Sequence, residues 1–184
     1  MNAGAASGVG TAVDGATGFD MATASGIVAA AGRLGRTVAT AESLTAGLIA
    51  STLAEVPGAS TVLQGGIVAY QLSVKQHLLG VDAELLARAG AVDPRVAAAM
   101  AEGARTALDA DIGVSTTGVA GPSAHGGKPV GTVFTAISSA TATATFEYHF
   151  PGDRAAIRQA ACNAVLTELF GVLSRGTNGE SGRL

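Results

Sequence analysis

Two β-like runs in this chain end directly in loops of small residues, and helical patterns separate the strands. Residues 37–41 lead straight into Glu42-Ser43-Leu44-Thr45-Ala46-Gly47, and residues 112–116 lead into a glycine-rich stretch that extends to Thr132. Strands interleaved with helices constrain the chain to a layered α/β arrangement, because each apolar sheet face must be covered. The expected fold is a single three-layer α/β/α domain built on a mixed, mainly parallel sheet.

The local patterns supply the elements. Residues 20–34 carry Met21, Ile27, Val28 and Leu34 at helical spacing, ended by Gly35. A helix through Leu48, Ile49 and Leu53 stops at Val56-Pro57-Gly58. Residues 62–70 read as a strand in which Gly65-Gly66 marks a bulge or a close backbone approach. A short helix over 74–79 ends at Gly80, and further helices cover 82–88 and 93–108, the second with Asp93 as cap and Pro94 at its first position. Residues 112–116, 130–138 and 143–150 read as strands, the last alternating like an antiparallel or edge strand. Residues 153–173 form a closing helix with Ile157, Ala161, Val165, Leu169 and Val172 near one face. The stretches 1–19 and 175–184 are rich in Gly, Ser and Thr without a period, so flexible tails are expected around a domain at 20–174.

Composition narrows the function. Apolar residues make up 48% of the chain but aromatics only 4%, so the core is packed from Ala, Val, Leu and Ile. A net charge of −3 with no cluster of Lys and Arg excludes a nucleic-acid-binding stripe. No apolar run approaches the roughly 18 residues of a membrane span, and no basic, apolar leader opens the chain, so a cytoplasmic location is expected. Cys162 stands alone and excludes an internal disulfide. His77, His125 and His149 lack metal-type spacing, and neither metal nor cofactor is expected; His125, in the glycine-rich loop, is the histidine to watch. An alanine-rich chain with few aromatics would gain by burying further surface in a homo-oligomer.

Only two of the eleven basic residues are lysines, Lys75 and Lys128, and both sit beside loop-like motifs. Lysine can lose its proton when desolvated, whereas arginine effectively cannot. Ser43 with Lys75 therefore invites a Ser–Lys catalytic reading; the bland alternative makes Ser43 a plain helix cap. Thr45, Ala46 and Gly47 let backbone amides approach an anion. In the second loop, glycine amides could meet a phosphate while Lys128 adds a point charge. Arg154 and Arg158, spaced i, i+4, either face one ligand together or form a solvated helix face. Walker A, Ser-x-x-Lys, Gly-x-Ser-x-Gly and His-x-x-x-His patterns are absent.

Several motifs occur in a telling order: Ala41-Glu42-Ser43-x-Thr45-x-Gly47, Val56-Pro57-Gly58-Ala59-Ser60, Val68-Ala69-Tyr70 with Lys75 beyond, Leu78-Leu79-Gly80-Val81, Thr117-Gly118-Val119-Ala120-Gly121-Pro122, Lys128-Pro129-Val130-Gly131-Thr132-Val133, and Gly152-Asp153-Arg154 with Arg158. Together they resemble the C-terminal domain of CinA-type competence/damage-inducible proteins, the family of bacterial nicotinamide-nucleotide amidases. The resemblance implies hydrolysis of nicotinamide mononucleotide to nicotinic acid mononucleotide and ammonia, with a small-molecule nucleotide as the partner. It implies Ser43 as nucleophile, Lys75 as its base and Tyr70 as an orienting group. Glu42, Thr45, Ala46, Gly47, Thr117, Gly118, Gly121, Lys128, Arg154 and Arg158 become the expected substrate-binding set, with one arginine facing the substrate. Leu44, Ala46 and Leu72 depart from the family pattern, which commonly has Cys, Gly and Asn there. An idle nucleotide- or phosphate-binding module, or an amidase for another small amide, are the competing expectations.

Overall fold

A computed structural model describes residues 7–9 and 18–179, with side chains described for 18–175. Its strands are β1 (Ser7–Val9), β2 (Val38–Glu42), β3 (Leu63–Val68), β4 (Ile112–Gly118), β5 (Thr132–Ser138) and β6 (Thr143–His149). Its helices are α1 (Met21–Leu34), α2 (Leu48–Ala54), α3 (Leu72–Leu79), α4 (Ala83–Ala89), α5 (Pro94–Ala107) and α6 (Arg154–Gly179). Asp20, Asp82 and Asp93 cap α1, α4 and α5 by accepting amide hydrogens of their first turns. Asp153 does the same for α6 through the Ala156 amide.

The strands form one sheet in the order β1-β6-β5-β4-β2-β3. β2 lies between β3 and β4 and is parallel to both. β5 runs against both its neighbours, so the expectation of a mainly parallel sheet needs correcting. The reason lies in the connections: residues 119–131 and 139–142 are loops with no helix in them, and a parallel pairing is usually made by a helical crossover. The α/β class and the three layers are as expected.

Regular elements also occur within the stretches expected as tails. Ser7–Val9 pairs in parallel with β6, whose outer edge offers unpaired backbone groups to any extended segment. At the other end α6 runs on to Gly179, past the last apolar position at Leu173, because each added helical residue brings a hydrogen bond once the helix is nucleated. Residues 1–6, 10–17 and 180–184 of the expected tails lie outside the described residues.

Alternation along β2 divides the core. Val38 packs with buried residues of α1, α2 and α6, among them Ile27, Ile49, Leu53, Leu166 and Leu169. Ala39 and Ala41 face the other way, onto Leu79, Leu86, Val96 and Met100 of α3, α4 and α5. Small residues allow close approach at two strands, one of them at the expected Gly65-Gly66 stretch. A Cβ on Gly113 of β4 would lie 1.9 Å from the carbonyl oxygen of Ala101 on α5, and one on Gly66 would lie 2.6 Å from Thr40 Oγ1. The register also shifts opposite Gln64, so the Gly65-Gly66 stretch carries both the bulge and the close approach.

α6 is anchored across the sheet by Glu168, which accepts from Thr135 Oγ1 at 2.7 Å and from the Tyr148 hydroxyl. Burial pushes this carboxyl up to about 7. The anchor fixes the middle of the helix whose first turns reach the ends of β2 and β4.

Because the Gly113 contact is backbone against a missing side chain, Gly113→Ala is expected to destabilise the fold by about 3 kcal/mol or more. Urea unfolding of the variant measures this, and an unchanged midpoint would show that α5 can lift from the sheet freely.

Candidate active site

Parallel pairing sets the carboxyl ends of β2, β3 and β4 side by side, where open α/β sheets hold ligands. Thr116 accepts from the Ser43 amide at 3.0 Å, and Glu42 accepts from the Ala69 amide at 2.8 Å, so three chain segments are pinned together as they leave the sheet. α3 starts at Leu72, and helical side chains lean toward the N-terminus of their own helix. Lys75, one turn in, is therefore carried back to the strand ends.

There the Lys75 ammonium nitrogen lies 2.9 Å from Ser43 Oγ. It also contacts the carbonyl oxygens of Ala69 and Tyr70, the latter at 3.3 Å. The side chain is fully buried, and among the described residues no carboxylate pairs with it. Desolvation lowers its pKa to about 8. A neutral amine has two N–H donors and one lone pair. The two carbonyls use the donors, which leaves the lone pair for the Ser43 hydroxyl. Ser43 is not a helix cap, since the cap position of α2 is Gly47.

A cavity of about 540 Å³ opens above this pair. Ser43 and Leu44 line it together with Tyr70, Gln71 and Leu72, while Ala91 and Val92 enter from the α4–α5 connection. Residues 117–125 contribute the opposite wall, and Arg154 arrives from the start of α6. Arg154 spans the mouth, donating to the Gly121 carbonyl at 2.9 Å and to the Tyr70 hydroxyl at 2.7 Å. Of the expected site residues, Ser43, Tyr70, Thr117, Gly118, Gly121 and Arg154 thus meet around one space, with Lys75 directly behind Ser43.

Others do different work. Glu42 is buried, and its carboxylate accepts from the amides of Gly47, Ile49 and Ala50 at 2.8–3.1 Å and from Thr40 Oγ1. It caps α2 from inside, which corrects its placement as a substrate ligand: an orphaned helix terminus takes the nearest acceptor. Thr45 bonds Thr116 at 2.7 Å, hydroxyl to hydroxyl, and is fully buried. Gly47 takes φ +97°, a turn conformation suited to glycine. Ala46 at φ +51° is exposed and does not line the cavity, so its methyl group does not intrude on the site.

Lys128 also departs from expectation. Its ammonium lies 5.7 Å from the Phe134 ring centroid and outside the cavity, where an aromatic face competes for the charge. His125 and Lys128 pair as a small hairpin within the loop, and this turns His125 toward the cavity that it lines. Arg158 separates from Arg154: its guanidinium donates to the carbonyls of Leu44 at 2.8 Å and Thr45 at 2.9 Å. Val92 lines the cavity without having been singled out; as an ordinary apolar residue it carries no sequence signal of its own. Among the described residues no cluster of three His, Cys, Asp or Glu is placed to hold a metal ion, and no helix is long and apolar enough to cross a membrane.

Burial of the Lys75 charge has a thermodynamic signature. Between about pH 8 and 10.5 the unfolded chain binds the proton while the folded chain releases it, so stability rises with pH across that window. Below pH 8 the cost of the buried charge is felt in full. Lys75→Met removes this dependence, and relative to the variant the wild type should gain about 2–3 kcal/mol between pH 7.5 and 10.5. Parallel denaturant titrations at the two pH values measure the difference; equal slopes with pH would mean the lysine is solvated.

The model of the CinA C-terminal domain matches residues 20–173. A putative competence-damage inducible protein of Desulforamulus reducens is 53% identical over 132 residues, covering 72% of this chain and 32% of that protein. A CinA-like protein of Frankia casuarinae is 47% identical over 144 residues, covering 78% of this chain and 33% of that protein. The chain thus spans about a third of the length of these curated relatives. Among solved structures, the competence/damage inducible protein CihA of Agrobacterium tumefaciens superposes with a TM-score of 0.81 at 35% identity, covering 85% of this chain and 99% of that one. A CinA superfamily protein of Escherichia coli gives 0.79 at 31% identity, covering 88% and 95%. With this fold, these motifs and these relatives, the chain belongs to the CinA C-terminal domain family.

Proposed function

We propose that this chain is an amidohydrolase that converts nicotinamide mononucleotide and water to nicotinic acid mononucleotide and ammonia. The observation that carries the reading is the 2.9 Å contact between a buried lysine and a serine on the floor of a cavity. A carboxamide is a weak electrophile, so its hydrolysis needs an activated hydroxyl and donors for the oxyanion.

In this mechanism Ser43 Oγ attacks the carboxamide carbon and its proton passes to Lys75 Nζ. The oxyanion of the tetrahedral intermediate is held by main-chain amides just after Ser43. Those of Leu44, Thr45 and Ala46 meet no acceptor among the described residues, whereas Gly47 and the first turn of α2 are taken by Glu42. As the C–N bond breaks, the Lys75 ammonium gives its proton to the leaving ammonia. Water then attacks the acyl ester on Ser43 with Lys75 again taking the proton; the C–Oγ bond breaks, Lys75 returns the proton to Ser43 Oγ, and the carboxylic acid leaves. Tyr70 holds the amine through its carbonyl and Arg154 through its hydroxyl.

Arg154 is the cationic side chain on the cavity wall and the counter-charge for the substrate phosphate, beside the glycine amides of the 118–121 segment. Val92, Val119 and Leu72 give the pyridine ring an apolar surface. The cavity exceeds the lower size of typical small-ligand sites. We place this activity in the cytoplasm. Leu72 on the wall favours a second reading, in which the same Ser–Lys pair serves a different small amide.

Ser43→Ala and Lys75→Ala should each reduce ammonia release by about 10³-fold or more, measured with nicotinamide mononucleotide and a panel of other amides. In the wild type, kcat/KM should rise with pH toward a plateau above about 8, as Lys75 loses its proton. Wild-type turnover in either variant would remove that residue from the mechanism.

A further inference from the structure

We infer that Arg158 is a positioning residue that aims the main-chain amides beside Ser43, acting through the backbone and not on the substrate. This rests on the amidohydrolase reading above. One edge of its guanidinium, Nε and Nη2, donates to two successive carbonyls, Leu44 at 2.8 Å and Thr45 at 2.9 Å. Both peptide bonds are trans, since among the described residues only Gly121-Pro122 is cis. In a trans peptide the N–H points opposite to the C=O. Gathering those two carbonyls on the Arg158 side therefore turns the amides of Thr45 and Ala46 to the other side.

Neither amide meets an acceptor among the described residues. Ala46 adds a left-handed φ of +51°, the kind of step at which successive amides converge on an anion. A cation on the carbonyl side of a peptide also polarises it and strengthens its N–H as a donor. The result is a pair of oriented, strengthened donors within three residues of Ser43, on residues that stand just outside the cavity lining.

The two arginines of α6 thus divide the labour. Arg154 lines the cavity, while Arg158, one turn later, is part-buried, absent from the cavity wall and committed to the backbone. Lysine cannot substitute, because an ammonium is a point donor and does not match two carbonyls with a planar fork.

Two measurements test this. The first is steady-state kinetics on nicotinamide mononucleotide and on its phosphate-free nucleoside, for wild type, Arg158→Lys, Arg158→Gln and Arg154→Gln. The second is the rate at which a fluorophosphonate labels Ser43, followed by mass spectrometry. In that labelling the Oγ–P bond forms as the P–F bond breaks, fluoride leaves and the hydroxyl proton passes to Lys75. Both Arg158 variants should lose about 10- to 100-fold in kcat, equally on the two substrates. KM and the midpoint of the pH profile should change little, and labelling should slow by a similar factor. Arg154→Gln should instead raise KM for the mononucleotide alone.

A KM defect in Arg158→Gln confined to the phosphorylated substrate would overturn the inference, as would unchanged kcat and labelling. If Arg158→Gln melts below the assay temperature, Arg158→Lys, which keeps the charge, decides by the same criteria. Wild type that labels at Ser43 but hydrolyses neither amide would reject the amidase reading alone. Labelling of the Arg158 variants would then decide the positioning role, slowed rates upholding it and equal rates overturning it. Wild type that fails to label would overturn both.

Discussion

The site depends on an amine buried without a counter-ion. Taking a charged ammonium out of water costs several kcal/mol unless a carboxylate accompanies it. Among the described residues, Lys75 bonds to a hydroxyl and two carbonyl oxygens. Those partners suit the neutral form as well as the charged one, so burial shifts the proton equilibrium toward physiological pH. A carboxylate at the same distance would have stabilised the ammonium and made it useless as a base. The adjacent Glu42 avoids that role because its oxygens are consumed by the first turn of α2.

Around this pair the fold spends charged side chains on holding backbone in place. Glu42 collects amides on one side of the Ser43 turn, and Arg158 collects carbonyls on another. The turn therefore makes few demands on its own side chains. Leu44 is buried and Ala46 is exposed, yet the positions of their peptide groups are set from outside. Leu44 and Ala46 are thus accommodated while the Ser–Lys geometry is kept.

Much of this was legible in the sequence because rare choices mark it. Two lysines in an arginine-using chain, a serine after a β-like run, and four aspartates at helix starts each carry a local physical reason. The side-chain roles that escaped are those settled by what folds back over them. Glu42 reads as a free carboxylate until α2 is seen to begin above it. Arg154 and Arg158 are indistinguishable at i, i+4 until α6 is docked and rotated by its packing. Lys128 reads as a phosphate ligand until the hairpin lays it over Phe134. Strand direction escaped for a similar reason: alternating strands and helices do not say which neighbours run parallel, and here the glycine-rich loop returns the chain against β4.

That returning loop has a consequence for how the family can diversify. Residues 119–131 close on themselves through the His125–Lys128 pairing and join two strands whose register is fixed by its own ladder. Lengthening or rewriting the tip at Gly126-Gly127 leaves the serine, the amine and the scaffold beneath them untouched. One rim of the cavity is thus free to evolve new ligand shapes over an unchanging floor.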